Sequence, residues 1–110
     1  MKYQTVLEIS INTIERMETA ATDIFVRQVI GTNMGRLRSE RNISQSKLAQ
    51  MIEMNRAHLN QIEGGKQNFS MDKLVKIADG LDVPLTEFFA GLEGASPSRI
   101  AADKSTTPGE

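Results

Sequence analysis

The segment from Ser44 to Gly65 constrains the fold more than any other part of the chain. It reads SQSKLAQMIEMNRAHLNQIEGG. Ser44 and Asn55 are residue types that cap the first turn of a helix, and glycine, here Gly64 and Gly65, commonly follows the last turn. Apolar residues recur at helical spacing after each cap. The segment therefore predicts two short helices joined by a tight corner near Glu53.

The stretch before this segment also has the period of a helix. Ile30, Met34 and Leu37 fall on one face. Gly31 and Gly35 weaken this helix by roughly 1 kcal/mol each relative to alanine. Their GxxxG spacing has its known meaning in apolar membrane helices, and this helix is polar. The sequence therefore assigns the two glycines no function.

The other helices have boundary signals of their own. Asn42 tolerates a left-handed conformation and is expected to end the helix before Ser44. Ser70 is the expected cap of a fourth helix, and Pro84 the expected start of a short fifth helix. The apolar face of the fourth helix consists of Leu74, Ile77, Ala78 and Leu81.

The N-terminal 29 residues change their period part-way. Residues 3–11 alternate between apolar and polar, which is typical of a short strand. From about Thr13 the apolar residues return every three or four positions, as on a helix. This helix either runs on or breaks near Thr22-Asp23. We predict an N-terminal extension, residues 1–29, built from a short strand and a helix. It acts either as a dimerisation arm or as a loosely packed appendage.

The C-terminal segment, residues 91–110, is rich in Gly, Ala, Ser, Pro and Thr. It has too little apolar surface to fold by itself, which predicts a flexible tail. The folded domain is then expected to span residues 30–90.

The overall charge of −1 conceals an uneven distribution. Residues 1–29 carry −1, residues 30–66 carry +3 and residues 67–110 carry −3. A basic segment between acidic flanks suits contact with phosphates better than the net charge suggests, because docking depends on local charge.

Several classes of protein are poorly supported. The chain has no Cys and one His, so thiolate chemistry is excluded and neither a metal site nor another cofactor is expected. No phosphate-binding loop or catalytic cluster is evident, which predicts no catalytic residues and no enzyme. The sequence shows neither a membrane span nor a secretion signal, so we expect a cytoplasmic protein.

At the level of residues, the chain resembles the Cro/phage-repressor type of helix-turn-helix, the XRE family. The resemblance covers about residues 30–89. It is carried by LRSERNISQSKLAQ, MNRAHLNQIEGGK and LVKIADGLDVPLTEFF, which stand in the family's register. It implies an all-α, five-helix lambda-repressor-like DNA-binding domain, flanked here by the N-terminal extension and the tail.

The resemblance has two implications for the structure of the motif. It implies an ion pair between Arg38 and Glu63 that ties the first helix to the end of the third. It also implies a glycine where this chain has Glu53. A left-handed glutamate costs roughly 1–2 kcal/mol, so either the turn avoids that geometry or the surrounding packing absorbs the strain.

The resemblance also implies which residues contact DNA. Its usual base-reading positions correspond to Arg56, Ala57 and Gln61 in this sequence. These residue types suit guanine, a thymine methyl group and adenine, respectively. Asn60 faces outward beside them and is assigned to the bases, with a phosphate as its alternative target. His58 is more consistent with packing than with reading. The expected phosphate contacts are Gln45, with the first amides of its helix, Asn55 and Lys66.

The expected partners are double-stranded DNA and a second copy of the chain. Proteins of this fold commonly bind palindromic sites as two-fold dimers. Either Phe88, Phe89 and Leu92 or the stripe from Ile14 to Phe25 forms the dimer surface, or these residues close the core. The leading interpretation is a transcriptional regulator. The alternatives are a restriction controller, an antitoxin that holds a toxin through its extension or tail, and a protein–protein adaptor.

Overall fold

The computed structural model describes residues 2–96, 98 and 99, and these residues form an all-α structure. No strand occurs in this described part. One compact unit comprises residues 26–93, and the described residues before and after that range form a second unit. The elements are α1 (Lys2–Glu40), α2 (Gln45–Met51), α3 (Arg56–Glu63), α4 (Met71–Leu81) and a 3-10 helix (Leu85–Phe89).

The short strand predicted near the N-terminus is wrong, because residues 3–11 lie within α1. The same apolar residues fit both periods: Leu7, Ile11 and Ile14 are spaced by four and three, as on a helix. A strand also needs a neighbour to pair its backbone groups, and residues 2–96 supply none. α1 continues through Thr22-Asp23 without a break. No helix in the described part of the chain is long and apolar enough to cross a membrane.

The predicted fifth helix is a single 3-10 segment rather than an α-helix. It covers Leu85–Phe89, and Pro84 is its N-cap rather than its first residue. Five residues allow little more than one turn, and such short pieces commonly take the tighter 3-10 form. Most of the predicted flexible tail, namely Pro97 and residues 100–110, lies outside the described residues.

The three predicted serine and asparagine caps are confirmed. The Ser44 and Ser70 hydroxyl groups accept hydrogen bonds from the backbone amides of residues 47 and 73, and the Asn55 side chain accepts one from the amide of His58. Each of these bonds satisfies a donor that the first turn of its helix leaves unpaired. The caps therefore fix where α2, α3 and α4 begin.

The core of residues 26–93 is made by one apolar face of each helix. Its largest fully buried side chains include Met34 of α1, Leu48 of α2, Leu59 and Ile62 of α3, and Phe88 of the 3-10 helix. Each such burial stabilises the fold by about 1.5–3 kcal/mol. The remaining buried apolar residues are Ile30, Leu37, Ala49, Ile52, Leu74, Ile77, Ala78 and Leu81.

One polar residue is buried within this core. Asn33 is 9% exposed, and its side-chain amide donates to the backbone oxygens of Phe88, at 2.8 Å, and Ala90, at 3.0 Å. Both donors of the amide are thereby satisfied, so its burial carries little penalty. Asn33 thus fastens the C-terminal end of this unit to α1.

Gly31 allows α1 to approach the end of α3 closely. A Cβ atom at this position would overlap the backbone oxygen of Ile62 and lie 2.6 Å from that of Glu63. The sequence assigned Gly31 no function, and the structure gives it a packing role in addition to its unfavourable helix propensity. The close approach brings Arg38, further along α1, within reach of α3.

Candidate nucleic-acid interface

The corner between α2 and α3 is left-handed at Glu53. Its φ is +55°, so the turn takes the conformation that glycine adopts at least cost. The backbone amide of Met54 donates to the oxygen of Ala49 at 2.8 Å, which closes the corner. The Met54 side chain packs against the core. Of the two alternatives left open by the sequence, the structure therefore has the second: the turn is left-handed, and packing and this hydrogen bond offset its strain.

α3 has one buried face and one solvent-facing face. Leu59 and Ile62 are fully buried and anchor the helix. The opposite face surrounds an open concavity of about 580 Å³. The residues that line it are Asn55, Arg56, Ala57, Asn60 and Gln61. All five are exposed, so one surface brings together every residue assigned to the bases and one assigned to phosphate.

An ion pair joins Arg38 of α1 to Glu63 at the end of α3. Arg38 Nε donates to Glu63 Oε2 at 2.8 Å, and a second guanidinium nitrogen donates to Oε1 at 3.0 Å. The two side chains are only 16% and 8% exposed. The hydrogen bond to Glu63 raises the pKa of Arg38 above its ordinary value. Arg38 also donates to the backbone oxygen of Ile43 at 2.8 Å, so it connects α1, the following loop and α3.

Gln45 is engaged by two side chains of α3. Its Nε2 donates to Glu63 Oε1 at 3.0 Å, and its Oε1 accepts from Asn60 Nδ2 at 3.0 Å. The amide keeps a second hydrogen that this pair of bonds does not use. The structure thus places Gln45 beside the outward face of α3. No sequence pattern indicates this network, because its members lie up to 18 residues apart.

Two further residues complete the surroundings of α3. Lys66 is exposed beyond the end of the helix and does not line the concavity. His58 is half-buried, and its Nε2 lies 2.7 Å from Lys73 Nζ of α4. This contact holds α3 against α4 and favours a packing role for His58 over contact with the bases. Among the side chains that the structure describes, those of residues 17, 19–96, 98 and 99, no group of three or more acidic or histidine residues is placed to hold a metal ion.

Two short helices that meet at a closed corner, the second exposing a polar face, define a helix-turn-helix. The model of the helix-turn-helix family HTH_3 matches residues 34–88. The chain belongs to this family, also known as the XRE family, whose members are DNA-binding transcriptional regulators rather than enzymes.

Relatives and solved structures agree with this assignment. The Control protein C.MunI of Mycoplasma sp is 38% identical over 72 residues, which are 64% of this chain and 95% of that protein. The crystal structure of the restriction-modification controller protein C.AhdI from Aeromonas hydrophila has a TM-score of 0.56 and 28% identity. That match covers 57% of this chain and 96% of the other. An HTH_3 family transcriptional regulator from Vibrio cholerae has a TM-score of 0.59 and 30% identity, over 73% of this chain and 43% of its own.

Proposed function

We propose that this chain binds one DNA sequence specifically and regulates transcription as a homodimer on a palindromic operator in the cytoplasm. The observation that carries this proposal is the exposed polar face of α3, where Arg56, Asn60 and Gln61 surround one concavity. A helix with this geometry can enter the major groove with its N-terminal end against base edges.

The side chains on this face offer complementary chemistry. Arg56 can donate two hydrogen bonds to guanine, and Gln61 can pair with adenine through both ends of its amide. Ala57 is small and apolar, which suits contact with a thymine methyl group. Since these three residues are exposed and line the same concavity, they can read neighbouring base pairs.

The phosphate contacts are proposed at the borders of this face. Lys66 is exposed just after α3, Asn55 caps its start, and Gln45 retains one free amide hydrogen beside it. Such contacts hold the helix in register but carry no sequence information. Together they surround the base-reading residues on several sides.

The homodimer is supported by the distribution of apolar residues at the end of the folded unit. Phe88 is fully buried and Leu92 packs against the core, so both belong to the monomer. Phe89 and Leu85 of the same 3-10 helix are each 38% exposed. These two residues are the proposed centre of a contact between copies, and a two-fold pair of α3 helices reads a palindrome.

The particular role favoured by the comparisons is control of a restriction–modification system. The control protein C.MunI and the controller C.AhdI are both matched over nearly their whole length. The proposed operator should then lie upstream of a restriction or controller gene.

The test is selection of binding sites from random duplex DNA, followed by affinity measurements at two salt concentrations. We expect an enriched palindrome that binds far more tightly than scrambled DNA, with an affinity that falls steeply as salt rises. Failure to enrich any sequence would contradict the proposal. It would favour the antitoxin or adaptor alternatives, and a search for a protein partner would follow.

A further inference from the structure

The Glu63 carboxylate lies at the inner end of a chain of hydrogen bonds that reaches the outward face of α3. A carboxylate accepts hydrogen bonds and donates none. Arg38 donates two hydrogen bonds to this carboxylate. The Glu63 side chain is only 8% exposed, so this end of the hydrogen-bond network is sheltered from water. Any side chain that contacts Glu63 must therefore present a donor.

Gln45 lies between Glu63 and Asn60, and the need for a donor at Glu63 determines how its amide is turned. Its Nε2 faces Glu63 Oε1 at 3.0 Å, so its Oε1 faces away and accepts from Asn60 Nδ2 at 3.0 Å. A reversed Gln45 amide would bring its oxygen against the carboxylate and its NH₂ group against that of Asn60. Both contacts would be repulsive, so the charge of Glu63 fixes the orientation of both amides.

We propose that Gln45 and Glu63 are positioning residues that set the orientation of the Asn60 amide, and that Asn60 consequently selects adenine. The inference rests on the proposed reading role of α3. In this orientation one hydrogen of Nδ2 is held by Gln45. The second hydrogen and the Oδ1 atom, which accepts nothing from the described part of the chain, remain for DNA.

Adenine is the base that fits this remaining edge. Its major-groove edge offers the N6 donor and the N7 acceptor side by side, which match Oδ1 and the free hydrogen of Nδ2. Guanine presents two acceptors, and the repulsion between its O6 and Oδ1 disfavours it. Contact with DNA also removes water from Gln45 and Asn60, which strengthens the bond between them.

The contact between Gln45 and Asn60, on which the orientation depends, is tested first in the free protein. The probe is the ¹⁵N-resolved NMR signal of the Asn60 side-chain NH₂ group. Gln45→Met keeps the length of the side chain, removes its hydrogen bonds and leaves the ion pair of Arg38 and Glu63 in place. We expect the Asn60 signal to move in Gln45→Met. In the matched control Ser46→Ala, on the exposed side of α2, it should stay unchanged. An unchanged signal in Gln45→Met would overturn the positioning role.

The second measurement uses the operator obtained by selection. Asn60→Ala identifies the base pair that this residue reads, and affinities are measured for all four bases at that pair. The wild type should prefer adenine by about tenfold or more. Gln45→Met should reduce this preference by about fivefold, the worth of one hydrogen bond. It should leave the preference at the pair read by Arg56 intact.

The outcomes separate this inference from the proposed function. An equal loss of affinity on all four operators would overturn the positioning role and leave Gln45 with a phosphate contact alone. A preference for guanine at the Asn60 position would also overturn it. Selection that enriches no sequence would overturn the reading role itself. The amide measurement, made without DNA, would still report whether Gln45 contacts the Asn60 amide.

Discussion

Three non-glycine residues of the compact unit formed by residues 26–93 have a left-handed backbone conformation. Asn42, Glu53 and Asp82 each have a φ of +55°, which is unfavourable for any residue with a Cβ atom. Asn42 follows α1, Glu53 forms the corner, and Asp82 is the C-cap of α4. Asparagine and aspartate tolerate this conformation better than glutamate. The strain is therefore greatest at Glu53.

We predict that Glu53→Gly leaves the free energy of unfolding unchanged or raises it by up to about 1 kcal/mol. Removing the left-handed strain gains roughly 1–2 kcal/mol, and the greater freedom of glycine in the unfolded chain offsets part of this gain. Urea denaturation measures the difference. The control Glu53→Ala keeps the strain and removes the charge, so it should not be stabilising. A clear loss of stability in Glu53→Gly would contradict the left-handed corner.

Loss of the ion pair should be far more costly than loss of a surface pair. Arg38→Met leaves the Glu63 carboxylate sheltered without its cation, and we expect a loss of about 3 kcal/mol. The matched control is Arg36→Met, which breaks the pair with Glu40, whose side chains are 43% and 54% exposed. It should change stability by less than about 0.5 kcal/mol. Thermal or urea unfolding of both variants makes the comparison, and equal losses would contradict the structural role of Arg38.

Residue-level features that depend on near neighbours in sequence were predictable, and those that depend on distant neighbours were not. The three caps are local hydrogen bonds, so Ser44, Asn55 and Ser70 could be assigned from residue type and position. The bond between Gln45 and Asn60 arises only when α2 and α3 meet at their specific angle. The contact between Arg38 and Glu63 was implied by the family resemblance, and periodicity alone would not have revealed it.

At the scale of elements, close approach decides what periodicity leaves open. The alternation of residues 3–11 and the helical spacing of the same residues were both compatible with the sequence, and the structure has a helix there. Gly31 is unfavourable in an isolated helix, yet its missing side chain is what lets α1 reach the carbonyl groups at the end of α3. Helix propensity and tertiary packing thus give opposite predictions for substitutions at this position.

We predict that Gly31→Ala destabilises the unit by about 1–3 kcal/mol, because the added methyl group overlaps backbone atoms that cannot move independently. The matched control lies one turn further along α1. At Gly35 the nearest atom to an added Cβ is the side-chain oxygen Oε1 of Glu63, at 3.2 Å. Gly35→Ala should therefore change stability by less than about 1 kcal/mol. If Gly31→Ala proved stabilising in urea unfolding, helix propensity would outweigh the close approach.

At the scale of the whole molecule, the uneven charge and the exposed face of α3 act together in the proposed complex with DNA. The segment of residues 30–66, which carries a net positive charge, contains both the candidate base readers and the candidate phosphate contacts. The two groups should differ in how their loss depends on the DNA sequence, since base contacts give specificity and phosphate contacts do not.

We predict that Arg56→Ala removes discrimination at one base pair, at a cost of about 1–3 kcal/mol. Lys66→Ala should instead weaken binding to all sequences about equally and reduce the slope of affinity against salt by about one. Binding titrations with the selected operator, its single-base variants and scrambled DNA measure both effects. A uniform loss of affinity in Arg56→Ala would contradict its role as a base reader. A sequence-selective loss in Lys66→Ala would contradict its role as a phosphate contact.

The two hydrogen bonds from Asn33 also determine how far the chain can be shortened from its C-terminal side. A chain that stops before Phe88 would lose both acceptors and leave a polar amide in an apolar interior, at a cost of about 1–3 kcal/mol, in addition to the lost burial of Phe88. A chain that retains Ala90 keeps the amide satisfied. Such a chain loses only the partly buried Leu92 from the core, so Ala90 is the expected boundary between truncations that keep most of the thermal stability and truncations that do not.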